Sequence, residues 1–324
     1  MSKTTELTRV AGWGAQEASG LLAAGMTARV LRDLLGTMSF AEYIDASVTE
    51  LTDLRIPRVD YQAVDDSVEG VTPVLIGDKA YPAQLLSGPN PPVILYVRGN
   101  LEALGLGVGV VGTREAGDIA RATVPPCIAA AKELGVTVFS GLARGVDTMA
   151  HREALNQGVT TVAVLATYPT HVTPTANIAL SKEILESGGA VVSESRQIVP
   201  RAGLYFARNR IIAGLSSVVV PAEASLKSGT MGTVADALEW DRYLVVPVPG
   251  TSRRALLGAE ALLALAGETV LTKENLRVSV ATWGEIEKRG WVAHASAGNA
   301  GELRQFICLG HWFSAYNEVV QVTE

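Results

Sequence analysis

The middle of the chain, from residue 108 to residue 246, alternates short runs of β-branched residues with helical stretches. Strand-like runs separated by about 10 to 15 helical residues are typical of βαβ units around a parallel sheet. We therefore predict an α/β fold. Pro125 and Pro126 fall inside the first helical stretch and predict a kink or a new helix start there. The predicted strands cover residues 108–111, 136–140, 160–165, 190–193, 217–221 and 243–246.

The first hundred residues follow a different pattern. Small apolar and charged positions alternate in three short stretches with glycines between them, which predicts short helices over 16–24, 27–35 and 40–46. Between residues 56 and 100, six prolines interrupt any regular period, so a connector with short strands, such as 93–97, is predicted. The predicted organisation is a helical module (SAM or helix-hairpin-helix-like) at 1–60, a linker with short strands at 61–100, an α/β domain at 101–272 and a C-terminal appendage at 273–324.

Composition and charge narrow the class of protein. The chain has no window of 18 apolar residues, and its first residues lack the apolar stretch of a signal peptide, so we expect a soluble, cytoplasmic protein with no membrane partner. Cys127, Cys308 and four histidines show no metal-ligand spacing, so no metal site is predicted. The net charge is −6, but residues 98–254 carry 15 basic and 13 acidic side chains. The positive balance therefore lies in the predicted sheet region.

Four loops in the α/β region carry the candidate chemistry, because loops at the carboxyl ends of parallel strands meet at one edge of the sheet. Glycine lets a backbone approach a phosphate closely, and arginine offers a charged fork that matches phosphate oxygens. Taken singly, each loop could also be a tight turn or a helix cap with its arginines in surface salt bridges. Together they predict a site for an anionic ligand. The loops contain Gly112, Thr113 and Arg114; Ser140, Gly141, Arg144 and Gly145; Arg208, Asn209 and Arg210; and Ser228, Gly229 and Thr230.

Two motifs that the sequence lacks argue against common enzyme classes. The chain has no phosphate-binding loop of the G-x-x-x-x-G-K-[ST] type and no dinucleotide fingerprint after the first predicted strand. A nucleotide triphosphatase and a dehydrogenase are therefore not supported. His151 lies four residues after Asp147, but no nucleophile stands near them in the sequence, so a packed or capping histidine is the favoured interpretation.

The motifs occur in the order found in the DprA/Smf family, and the chain resembles that family over about residues 70 to 270. The segments that carry the resemblance are 81–85, 91–100, 108–114, 140–147 with Ala150-His151, 161–165, Pro174 with Asn177 and Leu180, Ser193-Glu194, and 208–216. The resemblance implies an extended Rossmann-like domain that binds single-stranded DNA, forms a homodimer and helps to load a RecA-type recombinase during natural transformation. It implies no catalysis and no cofactor.

Carried over to this sequence, the resemblance implies that the four loops form the phosphate-binding pocket for DNA. Two alternatives stay open. A phosphoribohydrolase of the wider superfamily would need a motif that matches here only at Gly229, Gly232 and Thr233, with Asp236 in place of its glutamate. A sensor of a nucleotide-derived signal could use the same pocket.

Overall fold

The computed structural model of the chain describes residues 13–59, 68, 70–86, 88–224, 228–240, 242–247 and 291–294. Within this part, six strands of the α/β region match the six predicted strands, with ends that differ by at most two residues. The strands are β1 (Val71–Leu75), β2 (Ile94–Gly99), β3 (Gly107–Gly112), β4 (Thr137–Ser140), β5 (Thr161–Val164), β6 (Ala190–Ser193), β7 (Val218–Glu223), β8 (Tyr243–Pro247) and β9 (Trp291–His294).

These strands form one sheet in the order β1-β2-β6-β5-β4-β3-β7-β8-β9 within the described residues. The central strands from β6 to β8 are parallel. Antiparallel strands extend both edges, because β2 pairs with β6, β1 with β2, and β9 with β8. The predicted α/β class is therefore confirmed, with mixed edges that the pattern did not indicate. The rest of the predicted appendage, outside β9, lies outside the described residues.

Ten α-helices are described in this part of the chain. The first four belong to the N-terminal region, and α6 to α10 connect the parallel strands. Their bounds are α1 (Ala15–Ala23), α2 (Ala28–Leu35), α3 (Phe40–Asp45), α4 (Val48–Asp53), α5 (Ala83–Leu86), α6 (Asp118–Leu134), α7 (Val146–Gln157), α8 (Ile178–Glu186), α9 (Ala202–Leu215) and α10 (Thr230–Glu239).

The strands present alternate residues to two layers of helices. Val110 and Val138 face the cluster that includes α6 and α7, whereas their neighbours Val111 and Phe139 face the cluster that includes α9 and α10. Burial on both faces explains why these strands read as continuous apolar runs. The two helical layers leave the carboxyl ends of β3 and β7 accessible between α9, α10 and the loop after β3.

Helix α6 runs without interruption through Pro125 and Pro126, so no new helix begins at Pro125. Each proline removes one backbone donor, a local cost. The apolar face of the same helix is buried against the sheet through Val124, Ile128 and Ala131, which holds the segment helical.

The N-terminal helices begin at polar caps. Ser39 and Ser47 each form a capping box with the glutamate three residues later, which satisfies free amides at the starts of α3 and α4. Helix α4 was not predicted, because its six residues are too few to show a helical period. Arg32 of α2 donates a hydrogen bond to the carbonyl of Pro91, so this region is tied to the segment before β2. No helix among the described residues is long and apolar enough to cross a membrane.

Candidate functional site

A pocket of about 600 Å³ opens at the carboxyl ends of β3 and β7. The first turns of α9 and α10 and the start of α7 complete its walls. The structure brings residues from the four predicted segments to this edge of the sheet. Three of the segments are loops that follow parallel strands, as expected. The fourth was wrongly predicted to be a loop, because Arg208, Asn209 and Arg210 lie inside α9. The predicted residues that line the pocket are Gly112, Thr113, Arg114, Arg208, Asn209, Ser228, Gly229 and Thr230.

Arg208 is the buried cation of the pocket. Its residue surface is only 6% exposed, yet it lines the cavity. Nη1 donates to the carbonyl oxygen of Val164 at 2.9 Å, whereas Nε finds no hydrogen-bond partner among the residues that the structure describes. Burial lowers the pKa of the guanidinium and nearby Asp147 opposes that shift. An arginine remains protonated in proteins, so the pocket contains a buried positive charge with unused donor capacity.

Asp147 lies in the same pocket, at the start of α7. Burial raises the pKa of its carboxyl group, and the charge of Arg208 and a hydrogen bond from the Ala143 amide act in the opposite direction. The Ala143 nitrogen donates to Oδ2 of Asp147 at 3.2 Å. This contact fixes the loop between β4 and α7 and gives Asp147 a structural role beside the cation.

The start of α10 forms the opposite wall of the pocket. Asn209 of α9 donates from Nδ2 to the Gly229 carbonyl at 3.2 Å, which ties the two helices together. The Ser228 hydroxyl is buried and has no hydrogen-bond partner within the described ranges. A helix N-terminus favours an anion because its first amides carry partial positive charge. Hydroxyl, amides and guanidinium therefore converge on a space that suits a phosphate group.

The loop after β3 contributes a second arginine and an aromatic contact. The exposed Arg114 guanidinium lies 5.8 Å from the ring centroid of Tyr205. Thr113 accepts a hydrogen bond from the Glu115 amide at 3.2 Å, so its hydroxyl helps to shape the turn. Sequence reasoning did not select Tyr205 or Phe206, although both line the pocket and only Ala207 separates them from the Arg-Asn-Arg segment.

Glu223, at the end of β7, was also missed. Its Oε2 accepts from the amides of Gly117 at 2.8 Å and Ala120 at 3.1 Å. This carboxylate therefore caps the N-terminus of α6 and occupies the position where an open α/β sheet often receives a phosphate. The chain supplies its own anion to α6. At α10, by contrast, the N-cap residue Gly229 and the first helical residue Thr230 line the pocket, and no side chain of the described residues caps that helix.

The structure does not bring five predicted residues to the pocket wall. Arg210 forms an ion pair with Glu194 at 2.6 Å on another side of α9, because two residues on a helix differ by about 200° in direction. Arg144 is exposed on the turn before α7. Ser140 donates to the Val110 carbonyl at 2.6 Å. Gly141 and Gly145 lie behind the pocket, where they allow close approach of Arg208 and of the Thr113 loop, respectively.

His151 lies in the interior behind this site. Its Nδ1 is 2.7 Å from the Thr161 hydroxyl, which itself donates to the Val138 carbonyl at 2.9 Å. Thr161 has one proton to give, so Nδ1 of His151 must be the donor to Thr161. Burial lowers the pKa of His151 to about 3, with the charge of Arg208 as a further cause. The histidine is therefore neutral and packed, as the favoured interpretation held.

No three histidine, cysteine, aspartate or glutamate side chains in the described part of the chain form a group able to hold a metal ion. The lining of the pocket supplies a buried cation, hydroxyls and a helix N-terminus. Groups of this kind are the ones that proteins use to bind and orient an anion.

A largely parallel sheet with helices on both faces and a ligand-sized pocket at its carboxyl edge defines a Rossmann-like α/β protein. The chain belongs to the family described as DNA recombination-mediator protein A, whose sequence model matches residues 72–280. This confirms the family that the motifs indicated.

The relatives include Protein Smf of Escherichia coli strain K12, which is 40% identical over 172 residues that cover 52% of this chain and 46% of that protein. DNA processing protein DprA of Streptococcus pneumoniae is 32% identical, over 68% of this chain and 82% of the relative. The X-ray structure of DprA from Streptococcus pneumoniae superposes with a TM-score of 0.58 at 27% identity, covering 84% of this chain and 92% of that one. The chain thus spans about half the length of the Escherichia coli relative and most of the pneumococcal one.

Proposed function

We propose that this protein binds single-stranded DNA in the pocket at the carboxyl edge of its sheet. The observation that carries the proposal is the buried Arg208, whose Nε has no partner among the described residues and which lines the pocket of a DNA recombination-mediator family member. A buried charge is costly unless it is compensated. Asp147 offsets part of the charge of Arg208, and a bound phosphate would supply the acceptor that Nε lacks. The backbone of a flexible single strand can enter such a pocket, whereas a rigid duplex of fixed width cannot.

The first experiment measures binding of a fluorescent oligonucleotide and of the matching duplex by anisotropy. We expect preference for the single strand and an affinity that falls with salt. Each neutralised phosphate contributes about −0.7 to the slope of log K against log salt, so contacts with the two arginines that line the pocket, Arg114 and Arg208, give roughly −1.4. Equal binding to duplex, or an affinity independent of salt, would contradict the proposal.

The second experiment removes the buried cation. Arg208→Ala should weaken binding by about 1–3 kcal/mol through loss of a charge-assisted contact. Arg121→Ala is the matched control, because Arg121 loses the same charge but lies exposed on α6, paired with Asp118 at 3.0 Å. Similar effects of the two substitutions would favour a general surface charge over a specific site.

We propose further that the protein acts by binding, without turnover. The phosphoribohydrolase alternative requires a carboxylate at the ribose, and its candidate Asp236 is buried in α10, outside the residues that line the pocket. Incubation with nucleoside monophosphates should release no base above buffer. Base release that disappears in Asp236→Asn would establish the enzyme instead, and tight binding of a free nucleotide without oligonucleotide binding would favour the sensor.

The family description also supports a role with other proteins of recombination. We propose a homodimer that delivers single-stranded DNA to a RecA-type recombinase, which places its work in the cytoplasm. Analytical ultracentrifugation tests the dimer. Faster assembly of a RecA filament on oligonucleotide in the presence of this protein tests the delivery, and no acceleration at saturating protein would contradict it.

A further inference from the structure

Phe206 is an aromatic side chain that the fold leaves exposed at the pocket. It is 59% exposed and lines the cavity, although most aromatic residues of the described chain, such as Trp13, Tyr43 and Phe139, are buried. Burial of a large apolar ring is favourable in water, so an exposed ring retains surface that a ligand can cover. Among the large hydrophobic side chains that the structure describes as exposed, Phe206 is the aromatic one.

The ring is supported by the protein on one side. A Cβ built on Gly232 would lie 3.8 Å from Cδ1 of Phe206, so the ring packs against the first turn of α10 with no side chain between them. The neighbouring Tyr205 is engaged differently, because the Arg114 guanidinium lies over its ring at 5.8 Å. Among the described residues, no ring or guanidinium contact covers Phe206.

Phe206 lies close to the groups that are proposed to bind the anion. It lies three residues before Asn209 on α9, and side chains three apart share one face of a helix. Asn209 in turn holds the Gly229 carbonyl at the start of α10. The exposed ring, the amide of Asn209 and the buried guanidinium of Arg208 therefore border the same cavity. A nucleotide presents the matching pair of features, a flat apolar base and a phosphate.

We propose that Phe206 is a stacking platform for a nucleobase of the strand whose phosphate occupies the Arg208 site. This inference rests on the proposed function and makes it more specific, because it assigns the pocket an unstacked base as well as a backbone phosphate. Stacking on an aromatic ring tolerates any base, since every base has a π-face. The platform distinguishes single strands from duplex, in which the bases are stacked on one another and cannot reach the ring.

The test compares two ligands of equal length and charge: a thymidine oligonucleotide and the same oligomer with abasic tetrahydrofuran residues. Wild-type protein should bind the thymidine oligomer about tenfold more tightly than the abasic oligomer. Phe206→Ala should lose that preference, with affinity for the abasic oligomer unchanged, and Phe206→Trp should keep it. Leu106→Ala is the control, because Leu106 is 66% exposed but precedes β3 at the opposite end of the strand from the pocket.

The outcomes separate this inference from the proposed function. If wild-type protein binds the thymidine oligomer and Phe206→Ala keeps the preference for it, the platform is overturned while the single-strand site stands. If Phe206→Ala weakens both oligomers equally, or turns a dimer into a monomer, the ring belongs to protein structure or to a subunit interface and the platform is again overturned. If wild-type protein binds neither oligomer, the proposed function fails and the inference fails with it.

Discussion

Gly141 lies directly beneath the guanidinium of Arg208, so closely that a Cβ at residue 141 would be 1.5 Å from Nη1. No side chain fits there while the arginine keeps its place. This contact lies between the loop after β4 and α9. Because residue 141 has no side chain, the guanidinium of Arg208 can occupy its place in the pocket. Because the clashing atoms are the far end of a long side chain, the arginine can move away without unfolding the protein.

The first prediction follows from this contact. Gly141→Ala should displace Arg208 and weaken oligonucleotide binding by about 1–3 kcal/mol, close to the effect of Arg208→Ala. The free energy of unfolding should fall by only about 1 kcal/mol, for the lost hydrogen bond to the Val164 carbonyl. Anisotropy titration and urea unfolding measure the two quantities. In the double variant, Gly141→Ala should add no further loss of binding to Arg208→Ala, and additive losses would contradict the shared mechanism.

A second prediction distinguishes Arg144 from Arg208, both of which the sequence predicted to bind phosphate. Arg144 is exposed on the turn before α7 and does not line the pocket, whereas Arg208 does. Arg144→Ala should therefore weaken oligonucleotide binding by less than about 1 kcal/mol, as expected for an exposed charge in high dielectric. The comparison is made by anisotropy at low and moderate salt. A loss equal to that of Arg208→Ala would show that the strand leaves the pocket along the α7 turn.

The difference between Arg144 and Arg208 illustrates what the sequence could predict. Three of the segments were found because each follows a β-branched run, and the carboxyl ends of parallel strands meet at one edge of the sheet. The segment from Arg208 to Arg210 was selected for its two arginines, and it lies inside α9. The direction of a side chain changes from one helical residue to the next. For this reason Arg208 lines the pocket, whereas Arg210 pairs with Glu194 on another side of α9. Gly141 was selected as a place where a phosphate approaches, but the group that approaches it is the arginine.

Glu223 and Phe206 show a different limit. Glu223 accepts a hydrogen bond from the amide of Gly117, which is 106 residues away in the chain. No local sequence pattern predicts a contact over such a separation. Phe206 is distinguished from the buried aromatics only by its exposure. Strand β9 likewise was not predicted, since its four residues carry no period of their own. Local pattern therefore predicted the elements, and long-range packing decided the roles within the site.

A third prediction concerns the carboxylate at the start of α6. Glu223→Ala leaves the amides of Gly117 and Ala120 without their acceptor and should lower the free energy of unfolding by about 1–2 kcal/mol. Glu115→Ala is the matched control, because Glu115 also lines the pocket but is exposed, and it should change stability by less than about 0.5 kcal/mol. Urea unfolding measures both variants. Equal stability of the two would mean that the cap contributes nothing.

The last prediction concerns acid and the buried His151. Thr161 already fixes the proton on Nδ1, so an added proton would have to enter at Nε2, which has no hydrogen-bond partner among the described residues. The resulting cation would be buried and would face the charge of Arg208. The folded pKa of about 3 lies below the ordinary value of 6.5. Between these two values the unfolded chain binds a proton that the folded protein does not.

The free energy of unfolding should therefore fall as the pH drops below about 6.5, and it should continue to fall towards about pH 3. This one group contributes up to about 1.4 kcal/mol per pH unit. Urea unfolding at pH 7.5, 6.5, 5.5 and 4.5 measures the slope. His151→Asn, whose amide nitrogen can take the place of Nδ1 as donor to Thr161 but does not titrate, should reduce the slope. His171→Asn at an exposed position is the matched control and should leave the slope unchanged. An unaltered slope in His151→Asn would mean that His151 binds its proton equally in the folded and unfolded states, which would contradict a neutral, packed histidine behind the Arg208 site.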